Sequence, residues 1–365
     1  MMRFVHTLFP AVFLILFISC NPEIRIKIDP SPPKLVLYTS ASPDKDVSAH
    51  VTKSWFITDK QWEVEVGSVK IDVYINNVYR GTMQPVDRHE EDTLSVKGLY
   101  ALPGCRVEAG DKLEIVAEAP GFDVVRGETT LPDYTEILSV DTISGRAVDD
   151  QSDDESLICS MRFRDKSGEK NYYRFLVRRV TEYHKGDTLI TTTNEVGMFG
   201  NHYYSHLFNA FGYANYGNYM TEVDGFHVSC DDPILNPMSN NPLPEKINSF
   251  YSFGAFSDDL IDGREYALKS TLSAYNTYSY QSDALTAIVH YDFILLSVSE
   301  PYYQYMKAVW TFYLNGWDIE SLREPMAAYS NVANGYGIVA GYQLSTKRIT
   351  MPFSDTVPIW NPFDQ

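Results

Sequence analysis

The sequence predicts a mainly β chain. An N-terminal immunoglobulin- or transthyretin-like β-sandwich is followed by a larger antiparallel β domain with one or two short helices. Three observations lead there. In Val69-Lys70-Ile71-Asp72-Val73-Tyr74-Ile75 apolar residues recur at every second position, the period of a half-buried strand. Turn residues (Gly104, Gly110-Asp111, Pro120-Gly121, Pro132) punctuate the first part at short-strand intervals. Aromatic residues make up 14% of the chain, with 26 Tyr and 19 Phe, a composition that suits pleated, half-buried surfaces.

At the amino terminus a short basic start, Arg3 and His6, precedes an apolar stretch from Leu8 to Ile18 and then Ser19-Cys20. An apolar run of about 7–15 residues is the length of a signal-peptide core, whereas a spanning helix needs about 20. Pro10 also argues against a regular spanning helix. Phe17-Ile18-Ser19-Cys20 resembles a lipobox, with Phe17 where Leu is commoner. The expectation is a signal peptide over residues 1–19, cleavage between Ser19 and Cys20, and lipidation of Cys20. Cleavage at another small residue, leaving Cys20 an ordinary thiol, is the alternative. Each buried methylene contributes about 0.8 kcal/mol, so several acyl chains on one cysteine make a durable membrane anchor. Residues 20–33 read as a tether, because four prolines between Asn21 and Pro33 favour extended, semi-rigid chain. The alternating Ile24, Ile26 and Ile28 would also suit a strand.

Residues 34–132 read as the sandwich. Its expected strands are Lys34–Thr39, Val47–Trp55, Val69–Ile75, Tyr79–Met83, Lys112–Ala119 and Val124–Thr130. Asn76-Asn77 marks a hairpin turn. A module of this kind serves as a spacer or a binding unit, and its fold names no activity.

Residues 134–365 form the larger unit. Strands are expected at Glu136–Ser144, Leu157–Arg164, Tyr172–Tyr183, Thr188–Thr193, Phe250–Phe256, Glu265–Ala274 and Ala287–Val298. A helix is expected from Pro301 to Asn315, with Pro301 at its start and Tyr305, Val309 and Phe312 on one face. A second short helix is expected over Ile319–Arg323. Asn334-Gly335 reads as a hairpin turn between Tyr329–Val332 and Tyr336–Tyr342, with Gly337 and Gly341 permitting close chain approach. From Gly197 to Pro244 the chain is irregular and rich in Tyr, Asn, Gly and Pro, a length that connectors seldom reach.

Charge and cysteine content narrow the function classes. Residues 1–19 carry a single charged side chain, Arg3, so the mature chain has 29 basic and 48 acidic residues, net −19. Nucleic acid is a poor partner for such a chain, because phosphate binding needs clustered Lys and Arg. A soluble domain held near a membrane, or one that meets cationic ligands or divalent ions, suits it better, and plain solubility is the favoured reading. Beyond Cys20 there are Cys105, Cys159 and Cys230, an odd number that permits one disulfide at most. With no CxxC pair, buried inert thiols are the expectation.

No catalytic constellation stands out, and the chain is read as non-enzymatic; a cryptic hydrolase would need carboxylates that only the fold brings together. Ser257-Asp258-Asp259-Leu260-Ile261-Asp262-Gly263 holds three carboxylates, which invites calcium. A calcium loop spaces its oxygen ligands at alternate positions and adds a distant bidentate Glu, so a turn with Asp262-Gly263 at the positive-φ position is favoured. The acidic run Asp149–Glu155 reads as a solvated connection. His202 and His206 stand four apart, but their Asn, Gly and Tyr neighbours disfavour the helix that would align them. Ser167-Gly168-Glu169-Lys170 matches SxxK in letters only and sits in an expected hairpin turn. No metal or cofactor is therefore expected. The best binding candidate runs from Phe199 to Tyr219 and contains Tyr203, Tyr204, Phe208, Phe211, Tyr213, Tyr216 and Tyr219. Tyrosine with Asn and Gly is the mixture of binding loops; the competing reading is that these rings cover the core beneath.

Three blocks carry a family resemblance: Ser299-Glu300-Pro301-Tyr302-Tyr303-Gln304-Tyr305-Met306-Lys307, Tyr329 through Tyr342, and Phe256 through Tyr266. Together with the lipobox and a sandwich opening Pro33-Lys34-Leu35-Val36, they are similar to the Bacteroidota lipoproteins known as domain of unknown function 4249. The likeness does not extend to Gly197–Pro244. The resemblance implies an outer-membrane lipoprotein that often accompanies a TonB-dependent transporter, and it implies no reaction. The functional expectation is an accessory to such a transporter in nutrient capture or uptake. The alternative is a stand-alone surface protein that binds a glycan or peptide. Only Glu23 is acidic ahead of Arg25 and Lys27, so cell-surface display is expected with the periplasmic face as the alternative.

Overall fold

The structure, a computed structural model, describes residues 32–54, 65–86, 98–145, 156–196, 228–229, 232–235, 254–272, 279–281, 285–315 and 329–353. It is mainly β. The first strands are β1 (Leu35–Ala41), β2 (Ser48–Lys53), β3 (Lys70–Ile75), β4 (Val78–Thr82), β5 (Gln84–Pro85), β6 (Leu99–Ala101), β7 (Lys112–Glu118) and β8 (Val125–Thr130). The alternation in β3 does what its period requires: Ile71, Val73 and Ile75 are buried. Asn76 and Asn77 have φ of 52° and 63°, the left-handed pair of a tight hairpin between β3 and β4. The Asn76 side chain ties that turn to β7, donating to Asp111 Oδ1 (2.7 Å) and accepting from the Lys112 amide (2.9 Å).

The second part comprises β9 (Ile137–Gly145), β10 (Ser156–Arg164), β11 (Tyr172–Lys185), β12 (Thr188–Val196), β13 (Val228–Ser229), β14 (Ala255–Ser257), β15 (Glu265–Leu272), β16 (Tyr280–Gln281), β17 (Thr286–Val298), the helix α1 (Glu300–Asn315), β18 (Val332–Ala333) and β19 (Tyr336–Thr350). A strand was expected at Tyr329–Val332; the ladder is confined to Val332–Ala333. The reason is Asn331, whose side chain takes over a strand's bonds: Nδ2 donates to the Glu128 and Val339 carbonyls, and Oδ1 accepts from the Val339 amide (2.9 Å). β19 also runs on to Thr350, past the expected end at Tyr342. The helix expected at Ile319–Arg323 lies outside the described residues.

Three sheets result. A ten-stranded sheet runs in the order β12-β11-β17-β19-β1-β2-β6-β5, with β14 beside β11 and β16 beside β17; the others are β13-β15-β10-β9 and β18-β8-β7-β3-β4. Between named strands every pairing is antiparallel except one. β1 and β19 pair in parallel from Val36↔Tyr336 to Ala41↔Gly341, so the long sheet is continuous from the first strand to the last. Gly337 makes that junction possible. Its φ is 109°, and a Cβ there would lie 2.0 Å from the Leu37 carbonyl oxygen.

Both smaller sheets pack on the same face of the long one. Val339 joins Leu35, Leu37, Ile71, Leu113 and Val125 in one core under the five-stranded sheet. Further along β19 on the same face, the Ser345 hydroxyl accepts the Ile137 amide of β9 (2.9 Å). There Phe163 of β10 meets Tyr173 of β11 at 5.4 Å between ring centres. The opposite face carries α1: Tyr302 reaches Arg174 of β11, and Tyr305 meets Tyr38 of β1 edge-on. Among the described residues no helix is long and apolar enough to cross a membrane.

Candidate functional site

Cys20, the seven aromatic residues Tyr203, Tyr204, Phe208, Phe211, Tyr213, Tyr216 and Tyr219, the histidines His202 and His206, the acidic run Asp149–Glu155 and Cys230 all lie outside the described residues. Cys105 and Cys159 are free. Burial pushes the Cys159 thiol up to about 12, which keeps it protonated and inert.

The described residues place two polar constellations on or beside β11. The first gathers the three sequence blocks that carry the family likeness. Ser299 anchors the start of α1 to β19: its amide donates to the Gly341 carbonyl (2.9 Å) and its hydroxyl accepts the Gly341 amide (3.0 Å). Glu300 opens the helix where a negative charge meets the positive end of the dipole. Tyr303, one turn on, stacks on Tyr172 of β11 at 4.8 Å, and Lys307 lies 5.3 Å from the Tyr303 ring centre.

Beside this stack, Lys170 in the β10–β11 turn donates to Asp258 (2.5 Å) and to Asp259. Lys170 and Ser257 together hold the Asp259 carboxyl below the usual range. The second oxygen of Asp258 accepts the Asn171 amide (2.7 Å). Asp165 accepts from Tyr173 Oη (2.6 Å) and from the Gly263 amide (2.7 Å). Asp165, Asp258 and Asp262 therefore lie within 4.8 Å of one another. Asp258 and Asp165 are satisfied by the chain's own donors, and Gly263 has φ of 66°, so this segment folds as the turn the sequence indicates.

The second constellation is a ladder of charge across β11, β17 and β19. Arg178, Asp292 and Arg348 stand directly opposite one another in register. Asp292, only 1% exposed, accepts from Arg178 Nη2 (2.5 Å) and from Arg348 Nε (2.6 Å) and Nη2 (2.9 Å). Burial pushes its pKa up, but the hydrogen bonds from Arg348 and Arg178 outweigh that and leave the carboxyl below its ordinary value. A further charge, the buried Arg174, donates to Tyr302 Oη (2.7 Å) on the same face of the sheet. Two and four residues further along β11 than Val180, which faces His290, come Glu182 and His184. His184 Nε2 is 3.3 Å from Glu182 Oε2, and His290 Nε2 is 3.7 Å from Glu182 Oε1. His290 Nδ1 pairs with Thr350 Oγ1 at 2.9 Å. Burial first, and then the charge of Arg348, lowers the His290 pKa.

Sequence reasoning singled out the Ser257–Gly263 carboxylates of the first constellation, but not the charge ladder of the second, for which a signal was nevertheless present. Arg174, Arg178, Glu182 and His184 fall on one parity of a long strand, and His290 and Asp292 fall two apart within an otherwise apolar run. Charged residues on one face of a buried strand must find partners on its neighbours. The first part of the molecule also has a cleft of about 480 Å³, lined by Arg80, Cys105, Arg106, Glu108 and Asp111 among others, which contains none of the sequence-predicted site residues.

Comparison with known families gives one match: the family described as domain of unknown function (DUF4249) spans residues 22–348. The chain belongs to that family. No curated protein matches the chain.

Proposed function

We propose that this member of the DUF4249 family is a non-enzymatic lipoprotein, anchored through Cys20 at the outer membrane of a Bacteroidota-type cell, and that it serves a TonB-dependent transporter as an accessory in nutrient capture. One observation carries the anchoring. The family-matched region begins at residue 22, two positions after the cysteine of Phe17-Ile18-Ser19-Cys20. A leader removed at Ser19/Cys20 would leave the whole matched region, residues 22–348, in the mature chain. With β1 starting at Leu35, the segment from Cys20 is long enough to hold the body off the bilayer surface.

A stand-alone glycan- or peptide-binding role is the second reading. The Tyr172–Tyr303 stack favours it, since its part-exposed rings sit between Lys170 and Lys307.

The test is expression of the full chain in a Bacteroidota host, with detergent extraction and affinity capture. The wild type is expected to incorporate labelled palmitate and to recover a TonB-dependent transporter in near-stoichiometric amount. Cys20→Ala is expected to lose the label and leave the membrane fraction. Wild-type protein that carries the label but brings down no transporter would sink the accessory role while leaving the anchor intact.

A further inference from the structure

We propose that the cleft beside β4 binds a small zwitterion, of the chemical class of free amino acids and short peptides, with its carboxylate on Arg80 and its ammonium group on Glu108. The site is distinct from both constellations on β11 and does not rest on the transporter role. The argument starts from register. β4 is the end strand of the five-stranded sheet, and its pairing with β3 slips. Tyr79 stands opposite Tyr74 and Gly81 opposite Val73, which leaves Arg80 as an extra residue outside the ladder. A bulge of this kind re-aims a side chain at a sheet edge. Arg80 lines the cleft of about 480 Å³. Among the described residues its guanidinium makes no hydrogen bond or ion pair. Its charge is felt inside the cleft: burial pushes the Cys105 thiol up, and Arg80 works against that rise.

The lining is held in place by the chain itself. The Cys105 amide donates to the Leu102 carbonyl (3.1 Å) and closes the turn between them. Val47 grips that turn twice, its amide donating to the Cys105 carbonyl (2.8 Å) and its carbonyl accepting the Leu102 amide (3.0 Å). Arg106 follows directly, and its ion pair with Asp46 is long, 3.6 Å, between side chains 62% and 38% exposed. Such a pair is worth little, so Arg106 is free to turn to a ligand as a second donor. Asp111 spends both oxygens on the chain, Oδ1 accepting from Asn76 (2.7 Å) and Oδ2 from the Glu108 amide (2.8 Å). The Glu108 carboxylate also lines the cleft and has no such bond among the described residues.

Charge fixes the ligand class. A guanidinium fork matches a carboxylate with two parallel hydrogen bonds. A bare anion would have to approach a chain of net charge −18 and settle beside Glu108 and Asp111, so the field opposes it. A zwitterion carries no net charge, and its ammonium group turns the Glu108 carboxylate from a repulsion into a partner. The ionised side chains of the lining, two arginines and two acids, likewise sum to zero. Ile75 and Leu102 add apolar surface for a side chain, and the volume falls in the range of small-molecule sites, about 300–1,000 Å³.

The probes are free leucine and alanyl-leucine, titrated into the full chain by calorimetry at low salt. Acetyl-alanyl-leucine and alanyl-leucinamide are the partners that lack one charge each. Saturable binding of at least one zwitterion in the micromolar-to-millimolar range is expected, weaker by about tenfold or more for either capped form. Arg80→Ala is expected to weaken the zwitterion by about tenfold or more. Glu108→Gln should do the same to the zwitterion and leave the acetylated form unchanged. Both side chains are exposed, and melting curves confirm that the variants fold. Cys105 gives an independent reading at the site: occupancy is expected to slow its alkylation, followed by mass spectrometry, and to leave the buried Cys159 unaffected. Arg264→Ala, an exposed arginine outside the cleft, is expected to change nothing. No saturable binding of either zwitterion, an affinity indifferent to Arg80→Ala or to Glu108→Gln, or equal binding of the capped forms would overturn the proposal.

Discussion

The two halves of the long sheet are built on different principles. Where it faces the five-stranded sheet, the core is aliphatic: Leu35, Leu37, Ile71, Val73, Leu113, Ile115 and Val125 are each at most 1% exposed. Among the described residues before Pro132 no charged side chain is buried. Past that point the long sheet buries Arg174, Arg179 and Asp292, and the turns beside it bury Asp165, Asp232 and Asp258. Apolar burial contributes wherever it occurs, at roughly 25 cal/mol per Å². Buried charge contributes only while every member of its network keeps its partners, because an abandoned ion has lost its water and gained nothing. The first half should therefore tolerate small conservative changes and be indifferent to mild acid, while the second should be brittle toward both.

The strongest break in that comparison is Asp292→Ala. It removes the one carboxylate that Arg178 and Arg348 share, and Arg178 is 14% exposed against 44% for Arg348. Arg348 can turn to solvent; Arg178 has less freedom. Breaking a buried ion network by removing the carboxylate at its centre costs up to about 3–5 kcal/mol, and urea unfolding is expected to show a loss of that order. A loss under about 1 kcal/mol would mean that the ladder is effectively a surface pair.

Acid is the next lever, and its sign follows from the direction of the shifts. The Asp292 pKa is depressed from an ordinary 3.8, so its stabilisation is complete above that value and disappears as pH falls through the folded value below it. The His290 pKa is depressed from an ordinary 6.5. The folded state thus resists protonating it, and stability is lost as pH drops below 6.5 toward the folded value. Both effects fall in the second half, and the histidine acts first. Amide exchange between pH 7.5 and 5, in chelator to exclude bound ions, is expected to speed up in β11 and β17 before β3 and β7. His290→Gln should flatten that difference. Uniform acceleration across all four strands would show that the halves open as one unit through the β1–β19 junction.

How much of this was legible in the sequence depends on the range over which each feature is decided. Local features were. Alternation placed β3, the Asn76-Asn77 and Asn334-Gly335 pairs placed their turns, with φ of 52°, 63° and 61° at the asparagines, and Pro301 placed the start of α1 to within one residue. The parallel union of β1 with β19 was not. Its strands stand about three hundred residues apart, and neither records its partner; only Gly337, a residue without a side chain beside the Leu37 carbonyl, hinted at a close approach. The charge ladder lies between these cases. One strand's parity announces that Arg178 and Asp292 need partners, but which charge meets which is fixed by a register that no single strand contains. The aromatic segment from Tyr203 to Tyr219 rested on composition alone, and composition cannot tell a binding loop from a core cover, since both require the same rings.

The smallest effect sharpens the comparison from the other side. Lys112 and Glu128 form a 2.9 Å ion pair across β7 and β8, over the aliphatic core, with side chains 45% and 57% exposed. By distance it equals the bond from Arg348 Nη2 to Asp292, so a stability argument that counted contacts would weigh the two alike. Solvent makes the difference. Around Lys112 and Glu128 water screens the attraction and rehydrates either partner when the other is removed, so such pairs are worth about 0.2–1 kcal/mol at most. Lys112→Ala is expected to shift the urea midpoint by less than about 0.5 kcal/mol equivalent, and the shift should vanish in 1 M salt. A loss near that of Asp292→Ala would mean that geometry, rather than burial, sets the worth of charge in this fold, and the contrast between the two halves would lose its physical basis.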